Sequence, residues 1–253
     1  MQEQSFLFNF MPMWPFKSID KLGKSGMLEN FTDWHSHILP GVDDGIRTMD
    51  ESLATLDLFE QHGVRKLWLT PHIMEDTPNT TGRLRERFAD LKNEYKGNIE
   101  LALASENMLD SLFEERLRDR DFLPIGKNSD YLLVETSYVN PPYGMDDMIE
   151  GIFACGLTPI LAHPERYRYM NEKDYEKWKK RGVLFQCNYI SIVGGYGETA
   201  RHKIEWMLKQ GLVSMLGSDL HRKFVFEHVV DKSPKHSDSL ARLVTVAHNP
   251  TIE

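Results

Sequence analysis

From residue 31 onward, short apolar runs alternate with longer stretches of helical periodicity. The segments 31–35, 65–70, 98–104, 130–135, 158–163, 183–188 and 212–218 are compact and rich in branched or aromatic residues. Turn or polar residues bound each one, the mark of a buried strand. Helical patterns fill the intervals. Thr48 and Glu51 form a capping-box signature that opens one helix, and Gly63 closes it. Leu84, Phe88, Leu91 and Tyr95 fall at i, i+4, i+7 and i+11, one stripe of a second helix. Ile204, Met207 and Leu208 mark a later helix that ends near Gly211, and the run Gly194-Gly195-Tyr196-Gly197 reads as the turn into it. Repeated strand-helix alternation predicts an α/β protein with a parallel sheet, closed into a barrel or left open and doubly wound. No repeat or linker divides the chain, so one domain is expected over residues 31–253, after an arm over residues 1–30. Beyond Arg222 no clear periodicity is read.

The arm is aromatic. Phe6, Leu7, Phe8, Phe10, Met11, Trp14 and Phe16 are followed by Lys17, Lys21 and Lys24. Packing on the outside of the domain is the plainer reading; the alternative is a peripheral membrane contact through residues 1–26.

Composition narrows the class. A chain of 253 residues, 41% of them hydrophobic, is long enough for a large core of its own. Its net charge of −8 argues against nonspecific nucleic-acid binding, which needs a basic footprint. Two cysteines, Cys155 and Cys187, are too few for a disulfide framework and read as small buried residues. No apolar run approaches the roughly 20 residues of a membrane span, and the N-terminus lacks a secretory pattern. A cytoplasmic location is expected, at the inner face of the membrane if the arm touches lipid.

The candidate chemistry lies at the strand ends. The first strand runs into Asp33-Trp34-His35-Ser36-His37, and residues i and i+2 of an extended segment share a face, so both imidazoles can reach one ion. Asp43 and Asp44 follow in the next loop. The second strand ends before His72, the third leads to Glu106, and the fourth and fifth end at Glu135 and His163. The seventh is followed by Asp219 and His221. In a parallel barrel the carboxyl ends of the strands share one rim, where active sites are built. Clustered acids repel one another unless cations neutralise them, so this rim predicts metal binding. A nitrogen-oxygen set without sulfur suits Mn, Fe or Zn, and nine candidate ligands fit two or three ions rather than one. Adjacent metals serve hydrolysis by activating water and clamping attacking and leaving oxygens. Arg166, three residues beyond His163, is a candidate to fork onto an anionic substrate, with a surface ion pair to Glu165 as the competing reading. Tyr138, Tyr143 and Tyr196 are rim-loop candidates for substrate contact. Nucleotide loops and the phosphate loop of cysteine-dependent phosphatases are absent from the sequence.

The motifs DWHSHILPGVDDG, TPHIM, LLVET, LAHPERY and GSDLH, with the region around Glu106, occur in that order. Together they resemble the PHP (polymerase and histidinol phosphatase) superfamily, and within it the bacterial metal-dependent protein-tyrosine phosphatases of capsular and exopolysaccharide synthesis. The resemblance covers roughly residues 31–222. It implies a distorted (β/α)7 TIM-like barrel and divalent metals, usually Mn or Fe. It places His35, His37, Glu106 and Asp219 on one ion, Glu106, Glu135 and His163 on a second, and Asp44, His72 and His221 on a third. Arg166 matches the family arginine that contacts phosphate. A second family arginine has no motif match here, and Arg222 and Arg47 are its nearest stand-ins. The implied substrate is a phosphotyrosine protein, the tail of a cognate membrane-associated tyrosine kinase. Two other functions compete: a small-molecule phosphomonoesterase resembling histidinol phosphatase, and a noncatalytic adaptor of polysaccharide machinery.

Overall fold

The computed structural model describes residues 19–252. In chain order its elements are β1 (Phe31–Ser36), α1 (Met49–Gln61), β2 (Val64–Leu69), β3 (His72–Ile73), α2 (Thr81–Glu94), β4 (Glu100–Leu103), β5 (Glu106–Met108), α3 (Phe113–Asp119) and β6 (Tyr131–Glu135). They continue with α4 (Met145–Ala154), β7 (Thr158–Ala162), α5 (Glu172–Lys180), β8 (Leu184–Asn188), α6 (Gly197–Lys209), β9 (Met215–Gly217), α7 (Lys223–Val229) and α8 (Ser237–His248).

The strands pair in parallel as β1-β2-β4 and as β3-β5-β6-β7-β8-β9. These are two parts of one barrel wall. β2 and β3 are pieces of one strand parted at Thr70-Pro71, where proline offers no N–H to the ladder. β4 and β5 are parted at Ala104-Ser105. There the Ala104 amide still donates to Leu69 O (2.9 Å) and the Glu106 amide to Pro71 O (3.1 Å), but the Ser105 amide turns away to Leu123 O (3.0 Å). Both interruptions come just before a candidate ligand, His72 or Glu106, where a break in the ladder re-aims a side chain. The wall closes on itself: the Asp219 amide donates to His35 O (2.7 Å), and the His37 amide to Leu220 O (3.1 Å). Every strand expected from the sequence is present, and closure decides for the distorted barrel over the open sheet.

Local sequence explains the helices. The Thr48 and Thr80 hydroxyls cap α1 and α2 by accepting from the Glu51 and Arg83 amides. A reciprocal capping box appears on α5, between Asn171 and Asp174. The stripe of α2 packs as expected, with Leu84 and Leu91 buried, although the helix stops at Glu94 and Tyr95 is its extended cap. The segment after Arg222 holds α7 and α8. Its signal was legible after all: Leu240, Leu243 and Ala247 lie at i, i+3 and i+7 and are buried.

The main core lies between wall and helices, with Leu56, Phe59, Ile149, Ile152 and Ile204 fully buried. A smaller apolar cluster includes Trp34, Trp68, Leu133, Ile160 and Met215. Leu133 stands two residues before Glu135 on the same face of β6, so this cluster floors the barrel beneath the rim. Of the arm, the aromatic residues Phe6 to Phe16 and Lys17 lie outside the described residues. Residues 19–30 pack on the domain: Leu22, Met27 and Leu28 are buried, the Leu22 amide donates to Lys232 O (2.7 Å), and Lys21 pairs with Asp231 (2.9 Å). Cys187 is buried and Cys155 half-buried, both as free thiols. Among the described residues no helix is long and apolar enough to cross a membrane.

Candidate metal centre

The barrel brings all nine candidate ligands together. They fall into overlapping groups, His37/Asp44/His72/His221, His35/His37/Asp219, His35/Glu106/His163 and His72/Glu106/Glu135, each with donor atoms within 4.8 Å of one another. Glu106 is the hub. Its Oε2 lies 3.1 Å from His35 Nε2, 3.2 Å from His37 Nε2 and 3.1 Å from His72 Nδ1, and its Oε1 lies 3.0 Å from His163 Nε2. Glu135 Oε1 is 3.0 Å from His72 Nδ1. Asp219 Oδ1 faces His37 (3.4 Å), His221 (3.5 Å) and His35 (3.6 Å). Asp44 Oδ1 faces His221 Nε2 (3.3 Å) and His72 Nε2 (3.5 Å) near the open side. His37 thus stands with the outer group as well as the inner one, a sharing not foreseen from the sequence.

Backbone geometry helps set these positions. His163 and Asp219 both adopt positive φ (32° and 51°), a conformation that costs non-glycine residues energy and recurs at functional sites. Gly217 is required for a close approach: a Cβ there would stand 2.5 Å from His35 Cβ.

A further layer of side chains, missed in the sequence reading, fixes the imidazoles. His35 Nδ1 lies 2.7 Å from Gln186 Oε1, and His37 Nδ1 lies 2.8 Å from Asp43 Oδ2. Both oxygens only accept, so each Nδ1 carries a proton and each Nε2 is turned toward the cage. Those two Nε2 atoms face each other at 3.0 Å. Two rings so arranged repel, whether lone pairs or protons meet, and a metal cation bound between the nitrogens relieves this. Glu106 Oε2, Glu135 Oε1 and His72 Nδ1 are buried and make no hydrogen bond, although they approach one another closely. Buried polar atoms are rarely left unpaired without a reason. This buried nitrogen-oxygen donor set fits borderline and hard divalent cations.

The electrostatics agree. Burial and nearby His37 push the pKa of His72 down, yet Glu106 and Glu135 outweigh them and lift it to about 10. Burial opposes a charge on His35, but Glu106 and Asp219 hold its pKa above the ordinary value. Burial likewise disfavours the Glu106 carboxylate, but His35 and His72 hold it well below the usual range. Protons and cations therefore compete for one anionic cage.

Asp219 links the cage to Arg166. Its Oδ2 accepts from Arg166 Nη1 (2.6 Å), Asn188 Nδ2 (2.8 Å) and Tyr196 OH (3.2 Å), which leaves Oδ1 for the cage. The guanidinium lies between the Tyr138 and Tyr196 rings, 4.2 and 4.1 Å from their centroids. Glu165 makes no pair with it. That carboxylate is buried and accepts from the Asn188 amide (2.9 Å) and Ser191 Oγ (2.8 Å). Tyr143 is fully exposed, and Arg47 is exposed too. Arg222 Nη1 donates to the carbonyls of Asp44 (2.6 Å), Gly45 (2.8 Å) and His221 (2.7 Å), so it braces the Asp44 loop. A cavity of about 980 Å³ opens over Asp44, His72, Arg166, Asp219 and His221.

Asp43 was noted only as the neighbour of Asp44, and Gln186 and Asn188 were polar residues at i and i+2 in an otherwise apolar strand. That pattern was the available signal. Asp43→Ala is expected to weaken metal affinity about 10- to 100-fold in a chelator competition. An unchanged affinity would show that Asp43 does not orient His37.

A family model described as "Capsular polysaccharide synthesis, CpsB/CapC" matches residues 31–239. The tyrosine-protein phosphatase CpsB of Streptococcus pneumoniae is 30% identical over 204 residues, covering 75% of this chain and 82% of that protein. The tyrosine-protein phosphatase YwqE of Bacillus subtilis (strain 168) is 26% identical over 195 residues, covering 75% and 76%. A crystal structure from work on YwqE of B. subtilis and CpsB of S. pneumoniae, described as metal-dependent tyrosine phosphatases, superposes with a TM-score of 0.71. It is 21% identical and spans 88% of this chain and 96% of that one. That likeness supports the barrel fold, and with a family match over most of its length the chain belongs to the CpsB/CapC family of capsular polysaccharide synthesis.

Proposed function

We propose that the protein is a metal-dependent protein-tyrosine phosphatase that removes phosphate from phosphotyrosyl proteins. The observation that carries this reading is the Arg166 guanidinium, held between two tyrosine rings at the lip of a buried histidine-carboxylate cage. In this reading His35, His37, Glu106 and Asp219 would hold one ion, Glu106, Glu135 and His163 a second, and Asp44, His72 and His221 a third, with Mn or Fe preferred over Zn. When bound, divalent cations supply Lewis acidity toward phosphoryl oxygens and lower the pKa of water.

The chain's own residues do the rest. Arg166 forks onto two phosphate oxygens, and its planar, permanently charged group matches their spacing. Tyr138 and Tyr196 fix its plane, and Asp219 Oδ2 fixes its reach. Asp43 and Gln186 keep the protons of His37 and His35 on Nδ1, away from the cage. No cysteine nucleophile fits. Burial and Glu165 push the Cys187 thiol well up, and that side chain is fully buried. In this proposal hydrolysis proceeds without a covalent enzyme intermediate. A phenolate leaves readily, which lowers the demand on a general acid. The natural partner in this proposal is the phosphorylated tail of a membrane-associated tyrosine kinase of polysaccharide synthesis.

Chelation should abolish turnover of p-nitrophenyl phosphate, and Mn or Fe should restore it with two or three equivalents bound per chain. The pKa of His72 is raised, so its proton must leave for metal to enter. Apparent metal affinity is therefore expected to fall by about tenfold or more per unit as pH drops from 8 to 6. The metal-loaded protein should show a higher kcat/KM on a phosphotyrosyl peptide than on histidinol phosphate. The reverse preference would replace this reading with a small-molecule phosphomonoesterase.

A further inference from the structure

We propose that the cavity holds a second, apolar subsite, walled by Ile190, Phe224, Val225 and Val229, that receives an apolar side chain flanking phosphotyrosine in the substrate polypeptide. The proposal rests on the tyrosine-phosphatase reading and names the kind of polypeptide that site selects.

The wall and the cage share one cavity. Its volume of about 980 Å³ lies at the top of the roughly 300–1,000 Å³ that encloses a drug-sized ligand, more than one phosphotyrosine side chain needs. Arg166 and cage residues line it, and so do Ile190, Phe224, Val225 and Val229.

Phe224 is not there for the core. The neighbouring Phe226 fills that role, fully buried and 4.3 Å from the Phe59 ring, while Phe224 is 66% exposed. Among the described residues the exposed large hydrophobics are Tyr138, Val139, Tyr143 and Phe224. The first three lie in the loop after β6, and Phe224 lies in α7 after β9, so all follow strand carboxyl ends. Tyr138 and Phe224 both line the cavity. Exposed apolar surface gathered around a site marks a binding contact.

Charge says what kind of partner. Arg166 and Arg222 line the same cavity, together with the carboxylates of Asp44 and Asp219. The Arg166 guanidinium beside an apolar wall complements a ligand that is anionic at one point and apolar next to it. A phosphotyrosyl segment with an adjoining leucine or aromatic residue has that character; free phosphate or a sugar phosphate does not.

The test uses the metal-loaded full chain with two phosphotyrosyl peptides, one flanked by leucine and one by serine, and with p-nitrophenyl phosphate as reference. The wild type is expected to favour the leucine peptide by about tenfold or more in kcat/KM, within the 10- to 200-fold that one apolar group commands in a pocket. Phe224→Ser should bring the two peptides to within about twofold of each other. It should also lower the ratio of the leucine peptide to p-nitrophenyl phosphate by about tenfold. Equal turnover of both peptides by the wild type would overturn the subsite alone. A proportional loss on p-nitrophenyl phosphate would overturn it too, by showing that the wall holds the phosphorylated ring itself. Failure on every phosphotyrosyl substrate, with the metals bound, would remove the phosphatase reading as well.

Discussion

Glu106→Gln is expected to reduce turnover by about 10³-fold or more and to strip most of the bound metal, while circular dichroism stays that of the wild type. The substitution keeps the volume and removes one charge. That charge stands within 3.2 Å of His35, His37, His72 and His163, so it belongs to two of the three inner triads and touches two imidazoles of the third. An amide in its place brings no charge with which to hold a cation among those imidazoles. The electrostatic hold on His35 and His72 falls with it, because Glu106 is the strongest influence raising the pKa of each. Metal-assisted hydrolysis draws several kcal/mol from its ions, and about 4 kcal/mol corresponds to 10³ in rate. Elemental analysis and a p-nitrophenyl phosphate assay read the two effects separately. A variant that keeps its metals and its rate would show that the hub is structural.

Arg166→Lys is expected to lower kcat/KM by about 10²- to 10³-fold, the scale for losing one preorganised donor to a developing oxyanion, with metal content close to wild type. Lysine keeps the charge but loses the planar fork, and an ammonium does not lie flat between the Tyr138 and Tyr196 rings. Metal content is expected to survive because Asp219 Oδ2 keeps Asn188 and Tyr196 as donors after Arg166 has gone. Loss of metal in this variant would mean that Arg166 serves the cage through Asp219 rather than the substrate.

The site was more legible than the scaffold that steadies it. Imidazoles and carboxylates recur at strand ends in the sequence, and in a parallel barrel those ends share one rim, so His35, Glu135, His163 and Asp219 could be read as neighbours despite long separations. Asp43 could not be told from Asp44, since both sit in one loop. They part company because the chain folds Asp43 back onto His37 Nδ1 and the His72 amide, while Asp44 turns toward His221. Arg166 was open between phosphate and Glu165. It faces the cage because Glu165 is committed to the Asn188 amide and Ser191 behind it.

What the sequence determined by itself was therefore local and periodic. It set the strand count, the helix caps at Thr48, the stripe of α2 and the type of chemistry at each strand end. These follow from backbone geometry and donor chemistry that neighbouring residues carry with them. Only the tertiary structure decided that the wall closes through Asp219 and His35, that two strands break just before His72 and Glu106, and that Gln186, Asn188 and Tyr196 brace the cage. Each of those depends on hydrogen bonds between residues far apart in the chain. Their distances are set by how the whole barrel packs, and no window of sequence contains them.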